Sequence, residues 1–268
     1  MSTADSGPIA DLHVHTDNSD GTLTLAAVPA AARAAGLDAV AITDHDRPHP
    51  GLDAPVVERG GVTLIGGIEL RVESPAGRVD LLGYGLDPTP ALREAVGRLQ
   101  DDRRERGAEM IERVEARLGI DLDMEPFEGM GRPHLARAIA AHPDADYDAP
   151  GAFEHLIGDD GPCYVARSIP DFERGRALLA GACSVVGLAH PLRYDDPAAA
   201  LDLAADLDAV ERWYPYGRPV DPAPVEAAIE AGGLLATGGS DAHGETLGTA
   251  GVDAEAYDAF RDRLPGPA

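Results

Sequence analysis

Histidines and carboxylates fall in five short clusters along the chain. Asp11-Leu12-His13-Val14-His15 sets two imidazoles two positions apart, and Asp20 follows in a polar Thr-Asp-Asn-Ser-Asp-Gly loop. Thr43-Asp44-His45-Asp46 is the second cluster, and Glu69 closes Gly66-Gly67-Ile68-Glu69. His190 precedes Pro191, and Asp241 and His243 sit in Gly239-Ser240-Asp241-Ala242-His243-Gly244. Residues two apart on a strand share a face, so His13 and His15 can reach one ion. Imidazole and carboxylate without thiolate suit Zn, Mn or Fe. Taken singly each cluster is weak evidence: Thr-Asp-His reads equally as a capped loop, and Gly-Ser-Asp-Ala-His-Gly as a turn. Together, five histidines and three carboxylates in one pocket are costly without a cation. Eight ligands exceed one tetrahedral sphere, so two or three divalent metal ions are expected.

The elements that must position these residues alternate. Residues 9–14, 38–43, 62–70, 79–84, 184–189, 209–213 and 233–237 read as strands. Residues 24–35, 133–141, 172–180, 197–205, 222–231 and 256–264 read as helices, with one more turn at 153–157. Residues 89–118 read as a long charged helix with a break near Gly107. Strand–helix alternation predicts an α/β fold with a parallel sheet or barrel and helices outside. Each cluster lies at or just past the carboxyl end of a strand, and in a parallel barrel those ends meet on one face. The reading is one domain over 1–268, with 88–170 as a helical insertion.

Composition narrows the partners. The 268 residues carry 22 basic and 47 acidic side chains, a net charge of −25, and no lysine. That balance argues against a face for duplex nucleic acid, which needs clustered positive charge. It predicts a halophilic protein, because at ~1 M salt a Debye length of ~3 Å screens self-repulsion. A hydrophobic content of 44% supports a sizeable core, and no run of ~18 apolar residues predicts a membrane span. The first residues lack the basic and apolar regions of a secretory leader, and Cys163 and Cys183 read as two buried thiols, so a cytoplasmic location is expected. No feature indicates an oligomeric state.

The series Asp11–Thr16, Ser19-Asp20-Gly21, Ile42–Asp46, Gly67-Ile68-Glu69, Ala189-His190-Pro191 and Gly239–Gly244 resembles the PHP (polymerase and histidinol phosphatase) family, in order and over nearly the whole chain. The resemblance implies a distorted (β/α)7 TIM-like barrel with a helical insertion and a di- or trinuclear site. It implies His13, His15, Asp20, His45, Glu69, His190, Asp241 and His243 as ligands, with Glu69 bridging. Gly131-Arg132-Pro133-His134-Leu135-Ala136-Arg137 resembles a subgroup acting on nucleoside bisphosphates or short RNA ends. Arg132, His134 and Arg193 would then meet substrate phosphate, whereas Arg103 and Arg106 read as solvated helix charge. A frequent family histidine is replaced by Asp80, which leaves the ion count open.

The implied reaction is hydrolysis of a phosphate ester in a nucleotide-like substrate, a nucleoside 3',5'-bisphosphate or a short RNA 5' end, by a metal-activated water. His190 or His243 would protonate the leaving group. Histidinol phosphate, or another small phosphomonoester, is the alternative substrate. A C–N-cleaving amidohydrolase is disfavoured by the absence of a lysine to form the usual bridging ligand. A non-catalytic module binding phosphorylated metabolites is the reading from a different class.

Overall fold

The structure is a computed structural model and describes residues 7–268; the leading residues read for a secretory leader lie outside those described. Two compact units are present, Met1–Arg93 with Ile169–Ala268, and Glu94–Ser168.

The first unit is built on an eight-stranded sheet: β1 (Ala10–Val14), β2 (Ala39–Ile42), β3 (Val56–Arg59), β4 (Val62–Ser74), β5 (Gly77–Tyr84), β6 (Val185–Leu188), β7 (Ala209–Trp213) and β8 (Leu235–Gly238). The strand order is β1-β2-β4-β5-β6-β7-β8, with β3 paired to β4. Pairs β1–β2, β2–β4, β6–β7 and β7–β8 are parallel, while β4–β5 and β5–β6 are antiparallel. The sheet is therefore mixed rather than the uniformly parallel ring of an ideal (β/α)7 barrel. The inversion comes from a tight hairpin: Ser74 pairs with Gly77, whose φ of 87° suits glycine. β3 escaped the sequence reading, although Gly60 and Gly61 (φ 58° and 75°) form the two-residue turn that returns the chain into β4.

β1, β2 and β6 are buried on both faces, which explains their uninterrupted apolar runs. Leu12, Ile65, Leu82, Tyr84, Ala209 and Phe260 form one core. Val14, Val28, Val40, Ile42 and Leu64 form another beneath α1 (Val28–Ala34). That helix begins four residues later than expected, with Pro29 in its first turn, where a missing N–H costs nothing.

α2 (Pro90–Leu118) runs unbroken through Gly107. A Cβ there would lie 2.7 Å from Met130 Sδ, so the glycine permits close packing instead of ending the helix. In the second unit α2 packs with α3 (Arg132–Ala141), α4 (Ala149–Ala152) and a π-helical turn at Phe153–Ile157 around Met110, Val114, Leu135, Ile139 and Leu156. In the first unit, α5 (Phe172–Ala180), α6 (Pro197–Asp202), α7 (Ala223–Gly232) and α8 (Ala254–Arg261) complete the chain. Cys163 is buried, Cys183 half-buried, and both are free thiols. No described helix is long and apolar enough to cross a membrane.

Candidate metal centre

The strands bring all eight expected ligands together in the first unit. His13 lies within β1, and His15 one residue past it, with ring centroids 5.2 Å apart. His45 follows β2 and pairs with Glu69 of β4 through the backbone; Asp46 N–H donates to Glu69 O (2.8 Å). His190 follows β6 and Asp241 follows β8. Both have left-handed backbones, φ 29° and 50°. Gly239 lets the β8 loop close on β1, because a Cβ there would lie 2.3 Å from the His13 backbone nitrogen.

Glu69 is the centre of the arrangement. Its Oε1 lies 3.5 Å from His13 Nε2 and 3.1 Å from His190 Nε2; its Oε2 lies 3.5 Å from His15 Nε2 and 2.6 Å from His45 Nδ1. Asp241 Oδ1 lies 3.5 Å from His13 Nε2 and 3.1 Å from His15 Nε2. His243 Nε2 lies 3.2 Å from Asp20 Oδ1, and His45 Nε2 3.8 Å from Asp20 Oδ2. Three sets of donor atoms converge closely enough for an ion: His15, Asp20, His45 and His243; His13, His15 and Asp241; Glu69, Asp80 and His190.

The spacing tests whether divalent ions fit. Bonds of about 2.0–2.2 Å around a tetrahedral ion place ligand atoms about 3.3–3.6 Å apart. Buried His13 Nε2 faces two carboxylate oxygens at 3.5 Å, beyond a normal hydrogen bond and at the edge length of a coordination sphere. The donor set fits.

Electrostatics agree. Burial pushes the Glu69 carboxyl up, but His45 and His13 outweigh it and hold Glu69 well below its ordinary range. Asp20 and Asp241 are likewise held down against burial, by His45 and by His13 respectively. Burial opposes charge on His13, yet Glu211, Asp241 and Glu69 hold its pKa well above normal. Burial and then His45 push His15 down. His243 is raised despite burial by its hydrogen bond to Asp20. Carboxylates held in their ionised range thus surround the imidazoles of a largely buried cluster, and bound cations would meet that demand for positive charge.

Several supporting residues escaped the sequence reading. Glu211, fully buried in β7, accepts from His13 Nδ1–H (3.0 Å) and from His190 N–H (2.7 Å). A proton on His13 Nδ1 leaves the Nε2 lone pair for an ion. The signal for Glu211 is a carboxylate at the centre of the strand Ala209–Trp213, weakened by the charged Arg212 beside it. Asp44 accepts from Thr16 N–H and from the Thr16 and Ser19 hydroxyls, each at 2.7 Å, and so shapes the loop carrying Asp20. Asp11 accepts from Ser240 N–H and Gly248 N–H, both 2.9 Å, tying β1 to the Asp241 loop. Arg71 grips Asp80 with both prongs, Nε–Oδ1 2.7 Å and Nη2–Oδ2 2.6 Å. Asp80 Oδ2 is 3.7 Å from His190 Nε2.

Arg193 also reaches the centre: its Nη1 donates to Tyr214 Oη (2.9 Å) and Asp241 Oδ2 (3.2 Å). Arg132 and His134 belong to the second unit. Arg132 pairs with Asp159 (2.8 Å) and stacks over the Phe153 and Tyr164 rings, while His134 Nδ1 accepts from Gly131 N–H (3.1 Å). Arg103 and Arg106 are not solvated helix charge. They are 6% and 7% exposed and donate to the carbonyls of Met130 (3.0 Å) and Val165 (2.6 Å). Burial, and then Arg167, Arg132 and Arg103, bring Arg106 down to about 10, the mark of crowded positive charge.

The expected strand end at Glu69 is not one, because β4 runs on to Ser74; a mixed sheet gathering histidines and carboxylates from within and just past its strands, with the similarities that follow, marks a metal-dependent phosphoesterase. Residues 11–130 match the PHP domain, and the chain belongs to the PHP family. It is 31% identical over 251 residues to a phosphoribosyl 1,2-cyclic phosphate 1,2-diphosphodiesterase of Eggerthella lenta, covering 88% of this chain and 95% of the relative. It is 33% identical to a 3',5'-nucleoside bisphosphate phosphatase of Chromobacterium violaceum, covering 69% and 67%. A solved protein of Bifidobacterium adolescentis, classed with the metal-dependent phosphoesterases, superposes with a TM-score of 0.80 at 25% identity, covering 96% of both chains.

Proposed function

We propose that the chain hydrolyses a phosphate ester of a nucleotide-like substrate, a nucleoside 3',5'-bisphosphate or the 5' end of a short RNA. The observation that carries this is the Glu69-centred set of imidazoles and carboxylates at coordination-sphere spacing, in a chain similar to a nucleoside bisphosphate phosphatase. Residues 1–268 act as one domain, with the 88–170 region inserted.

Two ions are favoured, one held by His13, His15, Glu69 and Asp241, the other by Asp20, His45 and His243, with Glu69 between them. The third set, Glu69, Asp80 and His190, is already served by a cation, the Arg71 guanidinium. When bound, the ions supply a water acidified toward neutral pH and positive charge against the phosphoryl oxygens. Mn, Zn and Fe all suit these donors. Glu211 fixes the His13 tautomer, and Arg193 offers a guanidinium beside Asp241 for a non-bridging oxygen. His190, outside both proposed ion sites, carries the proton for the leaving oxygen, and His243, the most exposed imidazole of the group at 35%, is the alternative carrier where it does not hold an ion. Arg132 and His134 are proposed phosphate contacts, supported by the positive charge that Arg132, Arg103 and Arg167 place around Arg106.

A second reading is a cyclic phosphodiester on a ribosyl phosphate, favoured by coverage of nearly the whole Eggerthella lenta relative. The test is phosphate release in molar KCl with Mn, Zn or Fe, across nucleoside bisphosphates, 5'-phosphorylated oligoribonucleotides, ribosyl cyclic phosphate and histidinol phosphate. Full activity in excess chelator would overturn the metal role, and preference for histidinol phosphate would overturn the nucleotide reading.

A further inference from the structure

Aromatic residues are scarce, 4% of the chain, yet Trp213, Tyr214 and Tyr216 stand within four positions at the end of β7. They line a cavity of about 550 Å³ in the first unit, together with Leu192, Val220 and Gly251. A volume of that size suits a small organic ligand. Tyr214 is the wall that this cavity shares with the metal centre. Its hydroxyl donates to Asp241 Oδ2 (2.7 Å), and its ring centroid lies 5.3 Å from that of His190. Tyr216 stands beside it, with centroids 4.8 Å apart and planes tilted by 58°. Tyr216 Oη is held by Leu192 N–H (3.3 Å), so both phenols are anchored by their hydroxyls, and the Arg193 guanidinium lies over the Tyr214 ring at 5.7 Å. Trp213 carries the Arg212 guanidinium over its ring at 5.3 Å. All three aromatic residues are half-buried, so a ligand can reach them.

We propose that this cavity is a subsite for a planar aromatic ring, the nucleobase of a substrate whose phosphate lies at the metal centre. The inference rests on the nucleotide reading above and adds where the base goes. Tyr214 links the two places, because the same residue donates to Asp241 and lines the cavity. A base sliding against Tyr214 and Tyr216 finds π surface without any sequence-reading hydrogen bond, so the subsite selects nucleotides over bare sugar phosphates but discriminates weakly among bases.

Trp213 is the chain's sole tryptophan, which makes the cavity self-reporting. The Mn-loaded protein in molar KCl is titrated with a carbon-bridged phosphonate analogue of AMP, and separately with the base-free ribose analogue. Binding is followed by calorimetry and by tryptophan emission excited at 295 nm. The expected result is a saturable emission change with the adenosine analogue alone. Tyr216→Ala weakens that analogue by roughly 5- to 100-fold, the range for stacking on one ring. It leaves the ribose analogue unchanged, and Tyr216→Phe behaves as wild type. Equal affinity for the two ligands with Trp213 emission unmoved overturns the base subsite while leaving the phosphoesterase reading intact. Failure of both ligands to bind overturns the nucleotide reading with it.

Discussion

Arg71→Met removes the cation that Asp80 depends on. Asp80 is 1% exposed and gives both oxygens to Arg71, at 2.7 and 2.6 Å. Deleting one partner of a buried pair costs about 3–5 kcal/mol; Arg71 is 32% exposed, so the lower end applies, about 3 kcal/mol. At about 2–4 °C per kcal/mol for a chain of this order, the melting temperature in chelator falls by about 6–12 °C. The same substitution frees Asp80 to join Glu69 and His190 around an ion. An ion present at 100 times its dissociation constant returns about 2.7 kcal/mol, nearly the whole loss. Arg71→Met is therefore expected to melt low in chelator, to recover with Mn or Zn, and to hold one more ion per chain than wild type by elemental analysis. Arg71→Met/Asp80→Asn removes both charges, so it melts closer to wild type in chelator and gains no ion. The reasoning is refuted if Arg71→Met melts within about 2 °C of wild type in chelator, or if its ion count is unchanged.

Glu211→Gln disturbs the His13 tautomer without touching an ion. Metal affinity is expected to fall about 10- to 100-fold, measured by chelator competition, with KM for substrate unchanged at saturating metal. A net charge of −25 without lysine predicts a melting temperature that climbs steadily from low to molar KCl, and a flat profile would remove the halophilic reading. Burial pushes the Cys183 thiol up to about 12 from an ordinary 9.0. Its folded-state pKa is raised, so its contribution is intact below pH 9 and is lost as pH rises toward 12. At pH 10 the loss is on the order of 1 kcal/mol, which the difference in urea midpoints between wild type and Cys183→Ala at pH 8 and pH 10 measures.

The metal centre was legible because its residues are chemically conspicuous and the strand-end rule needs only approximate boundaries. His13, Glu69, His190 and Asp241 come from four different strands or strand ends, yet alternation of apolar runs with helices was enough to send them to one face. The supporting residues were less visible. Glu211 and Asp44 are ordinary carboxylates until folding places an N–H or a hydroxyl against them, and Arg71 gains its meaning from Asp80 across a hairpin whose inversion the alternation concealed. Gly107 misled for a related reason: its missing Cβ answers Met130, which lies beyond any local window. Arg103 and Arg106 look like surface charge on a polar helix, because burial of a guanidinium depends on tertiary partners that periodicity does not encode.

His190 and Asp241, with Asp46 beside them, hold φ at 29°, 50° and 54°. Side chains with a Cβ resist that backbone geometry, and strain of this kind is of order 1 kcal/mol per residue. Glycine at 190 or 241 would relax the chain while abolishing the chemistry. That relief would be set against the buried partners left behind, His13 and His15 for Asp241 and Glu69 for His190, so backbone strain and side-chain pairing are traded within one site.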